Sequence, residues 1–267
     1  MRAKLILLFF ILVGIIIVFS FQKLPTGLKR KITAIVPEKV KETIEPNYYN
    51  KVPSYLVNDS LHYFVQKNKI IKQKKQFKTT YLKAKTTSEK TKILENASNF
   101  LYQNLTDSLI PYWYGTAWDY NGISQKPGKG KIACGYFVFT LLRDAGFRLP
   151  RVKMSQAASE QAIKSLVNSK QINRYSNISL EEFITKMKTK GNGIYIVGLD
   201  NHVGLYQVKN EESWFCHSTV IYPSCVIKEK AAYSPALQYS SYRVVGKLSD
   251  YETLTKQWLL NEYINLK

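Results

Sequence analysis

Hydrophobic positions change their spacing twice along this chain. From Leu5 to Phe21, seventeen successive residues carry no charge, and Arg2 and Lys4 precede them. A spanning helix needs about 20 apolar residues and a cleavable signal has a shorter apolar region. Residues 1–21 therefore read as a membrane anchor or signal segment, with the uncleaved anchor the closer fit. Residues 22–86 are rich in lysine, and Pro25, Pro37, Pro46 and Pro53 break their first half. They read as a stem followed by a basic helix over roughly 54–84.

From Thr86 a helical period takes over. Thr86 and Glu89 have capping-box spacing, and Ile93, Ala97, Leu101, Leu105 and Leu109 recur every four residues with Phe100 alongside. This predicts an amphipathic helix ending before Pro111. A Trp/Tyr cluster and a loop over 115–131 come next. A second helix is expected from Cys134, with Phe137, Val138, Leu141 and Leu142 buried and Gly146 at its C-terminal cap. Further helices are expected at 155–167 and, behind a Ser179/Glu182 capping box, up to about Lys188. Beyond Gly191 the period becomes two, which predicts strands at 193–199, 203–209, 213–219, 225–230 and 241–247. Helices and then a run of antiparallel strands indicate an α+β domain over 87–250, with a C-terminal helix or tail at 251–267.

Composition adds bounds. Hydrophobic residues make up 45% and aromatics 13% of the 267 residues, enough for a sizeable core and against global disorder. The net charge is +20, but between Phe21 and Lys90 sixteen Lys/Arg face five Asp/Glu, so more than half the excess lies in the stem. Phe77 and Tyr81 alone make no stacking platform for bases, and no nucleic-acid partner is expected. A basic stem suits contact with anionic lipid or an anionic cell-wall polymer. Lys23, Lys29, Arg30 and Lys31, directly after the apolar segment, do not by themselves favour export of the C-terminal part. Of the three cysteines, Cys216 and Cys225 are close enough to bridge a hairpin, which would leave Cys134 unpaired.

Cys134 stands where a glycine-rich loop meets a hydrophobic helix. Free amides and the helix dipole there favour a thiolate and can donate to an oxyanion. Gly135 places no side chain in the way. The alternative is a small buried cysteine in a core helix. Of only three histidines, His202 and His217 fall in neighbouring predicted strands, where their rings can lie side by side on one face. His202 is then the candidate base and His217 its orienting partner, while His62 lies in the basic helix. The histidine pair could instead serve a metal or the core. No Cys-x-x-Cys or His-x-x-x-His spacing supports zinc, and neither metal nor cofactor is expected.

The strings Pro111-Tyr112-Trp113-Tyr114-Gly115-Thr116, Ala133-Cys134-Gly135-Tyr136-Phe137-Val138, His202-Val203-Gly204-Leu205-Tyr206 and His217-Ser218 together resemble the NlpC-type cell-wall peptidases, a papain-like family. The resemblance covers residues 95–247. It implies a papain-like arrangement of helices on an antiparallel sheet, with Cys134 as nucleophile, His202 as base, His217 as orienter and Tyr112 lining the nucleophile. It also implies peptidoglycan stem peptides as substrate and an extracytoplasmic site, membrane-anchored or secreted. Trp113, Tyr114 and Trp118 are candidates for a cleft wall or, equally, for core. Ala133 stands where the family has Asp, Gly135 where it has Ser and then Gly, and the loop at 119–132 is longer than usual. These departures leave open a related amidase or acyltransferase acting on a lipid or other amide, and a non-catalytic module whose basic stem does the binding.

Overall fold

The computed structural model describes residues 60–267, so the apolar segment at 1–21 and the first part of the stem lie outside the described residues. Helix α1, Ser60–Lys83, carries Tyr63, Ile70 and Tyr81 at intervals of seven and eleven, which brings them to one side. All three are buried in the core that also holds Trp113, Phe137 and Trp258. The densest basic run is thus partly used inside the protein. Lys67 pairs with Asp144 at 3.0 Å, Lys74 is buried with its ammonium on the Gly146 carbonyl at 2.6 Å, and Lys78 donates to the Leu260 carbonyl. The helix and the C-terminal segment share one core with residues 87–250. Among the described residues no helix is long and apolar enough to cross a membrane.

Thr86 caps helix α2, Thr87–Gln103, with both halves of the capping box closed. Ala97, Leu101, Leu105 and Leu109 are buried. The helix does not stop at Pro111 as its sequence suggests. It widens into a π-helical turn, Asn104–Leu109, and continues as α3, Ile110–Trp113. Pro111 falls in the first turn of α3, where its missing N–H costs little.

Helix α4, Cys134–Asp144, ends at Gly146, whose φ of +95° is the left-handed conformation of a helix stop. The single helix expected at 155–167 is two, α5 (Arg151–Gln156) and α6 (Ser159–Leu166), separated by Ala157 and Ala158, whose ψ angles of 156° and 136° leave the helical conformation. No proline or glycine marks that break. Strand β1, Asn173–Ser176, is not predicted by the sequence, because Asn-Arg-Tyr-Ser has little strand character. In α7, Leu180–Thr189, Ser179 caps the Glu182 amide, but the Glu182 carboxylate turns to Lys186 at 3.4 Å, so only half of the expected box forms.

The remaining strands are β2 (Gly193–Leu199), β3 (Val203–Lys209), β4 (Glu212–Ser218), β5 (Val226–Lys230) and β6 (Tyr242–Lys247). Short helices α8 (Pro235–Gln238) and α9 (Lys256–Leu260) flank β6 in sequence. The sheet runs β1-β6-β2-β3-β4-β5, antiparallel throughout, and the protein is α+β. Ile194, Ile196, Val203, Leu205 and Val244 belong to the core shared with α1–α6. Tyr195, Val197, Tyr206, Phe215 and Val245 pack with Leu180, Phe183 and Met187 of α7. Covering both faces is why β2 is buried at every residue.

Candidate active site

The loop before α4 is fixed by its backbone. The Ile132 amide donates to the Ala117 carbonyl at 2.9 Å, and the Ala133 amide to the Gly122 carbonyl at 2.8 Å. A Cβ on Gly122 would sit 2.6 Å from the Ile132 nitrogen, so only glycine permits this approach. From the sheet, the Ser218 hydroxyl donates to the Ile132 carbonyl at 2.6 Å. This bond ties the entry of α4 to β4, one residue beyond His217.

Cys134 is the first residue of α4, and its N-cap is Ala133, whose methyl accepts nothing. The first-turn amides thus lack the side-chain cap that Ser, Thr, Asp or Asn would supply. Amides of Val203, Gly135 and Cys134 itself are directed at the thiol. Burial pushes the Cys134 pKa up, and these amides offset that only in part, so the net direction is upward. The expectation of a thiol lowered by the helix start is corrected: the amides act that way, but burial outweighs them.

His202 is set by a tight turn. Its carbonyl accepts the Leu199 amide at 2.8 Å, closing the β2–β3 hairpin, and Asp200 at the tip accepts from the Ser241 amide at 2.7 Å and the Ser240 hydroxyl at 3.1 Å. His202 Nε2 lies 2.7 Å from His217 Nδ1, with ring centroids 4.9 Å apart and nearly perpendicular planes. His217 Nε2 lies 3.0 Å from Glu229 Oε1. His217 and Glu229 are almost wholly buried. Gly204 makes room for this stack, since a Cβ there would meet Phe215 at 2.5 Å and the His217 Cβ at 2.9 Å.

Glu229 orders the protons along this line. A carboxylate accepts, so His217 Nε2 carries its hydrogen and donates to Glu229. His217 Nδ1 then accepts from the Nε2–H of His202, which leaves Nδ1 of His202 as the basic nitrogen. Burial holds the His202 pKa well below its usual 6.5, so the ring is neutral at neutral pH.

Cys134 and His202 line one cavity of about 240 Å³. Its other walls are the α5–α6 junction at 155–159 and the turn residues 199–201 that precede His202, neither of which the sequence pattern brings forward. Gly135 lines it as well. Its missing Cβ also serves packing, because a side chain there would collide with the Ser155 carbonyl oxygen.

The aromatic residues expected at the cleft lie elsewhere, and none of the four is part of this lining. Trp113 is fully buried with its indole N–H on the Tyr63 hydroxyl at 2.9 Å. Tyr112 packs edge-on to Tyr63 at 5.6 Å, and buried Tyr114 hydrogen-bonds with Cys216. Trp118 is half-buried in the loop, where its amide meets the Ser224 carbonyl. Helix α3 turns this stretch onto the core. All three thiols are free, so the bridge considered for Cys216 and Cys225 is not formed. Glu229 is a site residue that the sequence pattern does not bring forward. Period-two alternation places it on the face of Ile227, opposite Phe215 and one diagonal from His217, and a carboxylate at such an inward position is the available signal.

Among the described residues no group of three or more His, Cys, Asp and Glu is arranged to hold a metal ion. Compared with known family models, curated proteins and solved structures, the chain matches none.

Proposed function

We propose that the protein is a cysteine hydrolase of the papain-like, NlpC type that cleaves an amide or peptide bond. One observation carries this reading: a thiol at an uncapped helix start shares a cavity with a histidine whose far nitrogen is held by a second histidine and a buried glutamate. With the thiol raised and the imidazole lowered, the resting pair is neutral, not a thiolate–imidazolium pair. His202 therefore acts as a general base during attack. The Cys134 proton passes to His202 Nδ1 while sulfur bonds to the substrate carbonyl carbon. The uncapped amides receive the oxyanion, and His202 returns the proton to the departing nitrogen. Water, activated by the same imidazole, then cleaves the thioester.

Stem peptides of peptidoglycan are the substrate class this reading favours, with the catalytic part outside the cytoplasm and the chain held at a membrane or secreted. Lys69, Lys72, Lys75, Lys83 and Lys85 are exposed along and just beyond α1 and suit contact with an anionic wall or lipid surface. The test is mass spectrometry of purified stem peptides after incubation with the full chain and with Cys134→Ala. New termini produced only by the wild type support the reading, and identical peptide profiles reject it.

A further inference from the structure

Behind His202 lies a second cavity, of about 280 Å³. It shares Leu199, Asp200, Asn201 and His202 with the cavity of Cys134, so the turn that carries His202 borders both. Their chemistry differs. The Cys134 chamber is faced by Ser155, Gln156 and Ser159 with two alanines. Beyond the shared residues, the far cavity is faced by Val220, Ile221, Ala236 and Tyr239, with Thr219 and Ser240 as its polar groups. Its rim leaves apolar surface in water: Ile221 is 41% exposed and Tyr239 82%. Apolar side chains around a concave site with a few polar groups are the usual surroundings of a bound apolar group. The rim is also preformed. The Thr219 amide bonds to the Cys225 carbonyl at 3.0 Å, the Ile221 amide to the Thr219 hydroxyl at 3.0 Å, and Ser240 to Asp200.

Hydrolysis of an amide parts the substrate at its C–N bond. The acyl carbon stays on the Cys134 sulfur, and the nitrogen leaves with the proton that His202 delivers. The amine half must therefore reach the imidazole, while the acyl half remains with the thiol. We propose that the second cavity is the subsite for the amine half, and that it takes an amine bearing an uncharged, apolar side chain, which in a stem peptide is alanine. This rests on the reading of Cys134 and His202 as nucleophile and base. Asp200 in the shared wall opposes an acidic amine half.

A site that releases an amine also receives one, so the subsite can be read in reverse. The full chain is acetylated with p-nitrophenyl acetate, and the lifetime of the acetyl-enzyme is followed with glycinamide, leucinamide, phenylalaninamide or lysinamide added. Attack by the amine breaks the thioester, forms the N-acetyl amide and returns a proton to the thiol through His202. Leucinamide and phenylalaninamide should react with saturation and at least about tenfold faster than glycinamide, the discrimination an apolar pocket supplies. Ile221→Asp should shift the ratio of leucinamide to lysinamide product toward lysinamide, a ratio independent of the folded fraction. If acetyl-Cys134 forms but all four amides react alike and without saturation, the subsite is wrong and the nucleophile stands. If the acetyl group is found on Cys216 or Cys225 and not on Cys134, the nucleophile and the subsite fall together.

Discussion

His202 Nε2 and His217 Nδ1 are 2.7 Å apart, and Glu229 at the far end of His217 decides which of them carries the shared proton. The reactive nitrogen of His202 is thus set by a carboxylate two hydrogen bonds away on another strand. A neutral imidazole without this restraint would divide between two tautomers, only one of which leaves Nδ1 basic.

Removing Glu229 should weaken the base without touching substrate. Glu229→Ala leaves the buried His217 N–H unpaired, at a cost of about 1–3 kcal/mol in stability. Turnover should fall about tenfold to a hundredfold, as when the outer partner of a metal-bound histidine is lost. Glu229→Gln, which retains an acceptor, should recover most of the stability. In both variants the acid limb of the pH profile, which reports protonation of His202, should move to lower pH, because a nearby negative charge is gone. A purely structural role would lower stability and leave the pH profile in place.

His202 also makes stability depend on pH. Its pKa is depressed in the folded protein, so below pH 6.5 the unfolded chain binds the proton more readily than the native one. The stabilisation is fully present above about 6.5 and is lost as pH falls through the depressed value. Glu160, held at about 2 by Tyr242, Lys164 and Arg174, titrates lower and does not share this window. Urea midpoints at several pH values between 7.5 and 5 should fall in the wild type, and His202→Gln should flatten that slope. Parallel slopes in the two proteins would contradict the assignment.

Asp144 joins α1 to the helix that starts at Cys134. Its carboxylate takes the Tyr63 hydroxyl at 2.9 Å, Lys67 at 3.0 Å and Arg143 at 2.9 Å, and Trp113 in turn donates to Tyr63. Removing one partner of a buried ionic group strands the others. Asp144→Asn should therefore cost about 3 kcal/mol, read as a lower urea midpoint at unchanged m-value. A shift no larger than that of an exposed ion pair, below about 1 kcal/mol, would show that Asp144 is not what holds α1 in place.

The sequence displays the site's chemistry better than its walls. Cys134, His202 and His217 stand out because reactive residue types are scarce in this chain, and the period-two pattern brings the two histidines together, although His202 lies in the turn one residue before β3 and only His217 on a strand. The bounds of β2 and β3 are legible because turn residues bracket them. The break between α5 and α6 is not, since Ala157 and Ala158 carry no helix-breaking signal and only tertiary packing stops the helix there. Pro111 misleads in the opposite direction, because a π turn restarts the helix around it. Trp113 looks equally like cleft or core, and its partner, Tyr63, lies fifty residues away in a stretch that reads as stem. Glu229 is hidden among lysines, where a buried carboxylate looks like any surface charge.

The pairing of Cys134 with His202 is tested most directly by the rate at which each thiol of the full chain is alkylated by iodoacetamide across pH 5–9, in wild type and His202→Gln. Cys134 should react faster than Cys216, whose buried thiol is pushed up to about 12, and faster than Cys225, also raised by burial. Its rate should fall only below pH 6.5, tracking protonation of His202, and loss of the imidazole should slow it by about a hundredfold, the scale of general-base assistance. A Cys134 rate that climbs about tenfold per pH unit across the whole range, as for an unassisted thiol below its pKa, and is the same in His202→Gln would contradict the nucleophile–base pair and leave Cys134 a buried helix residue.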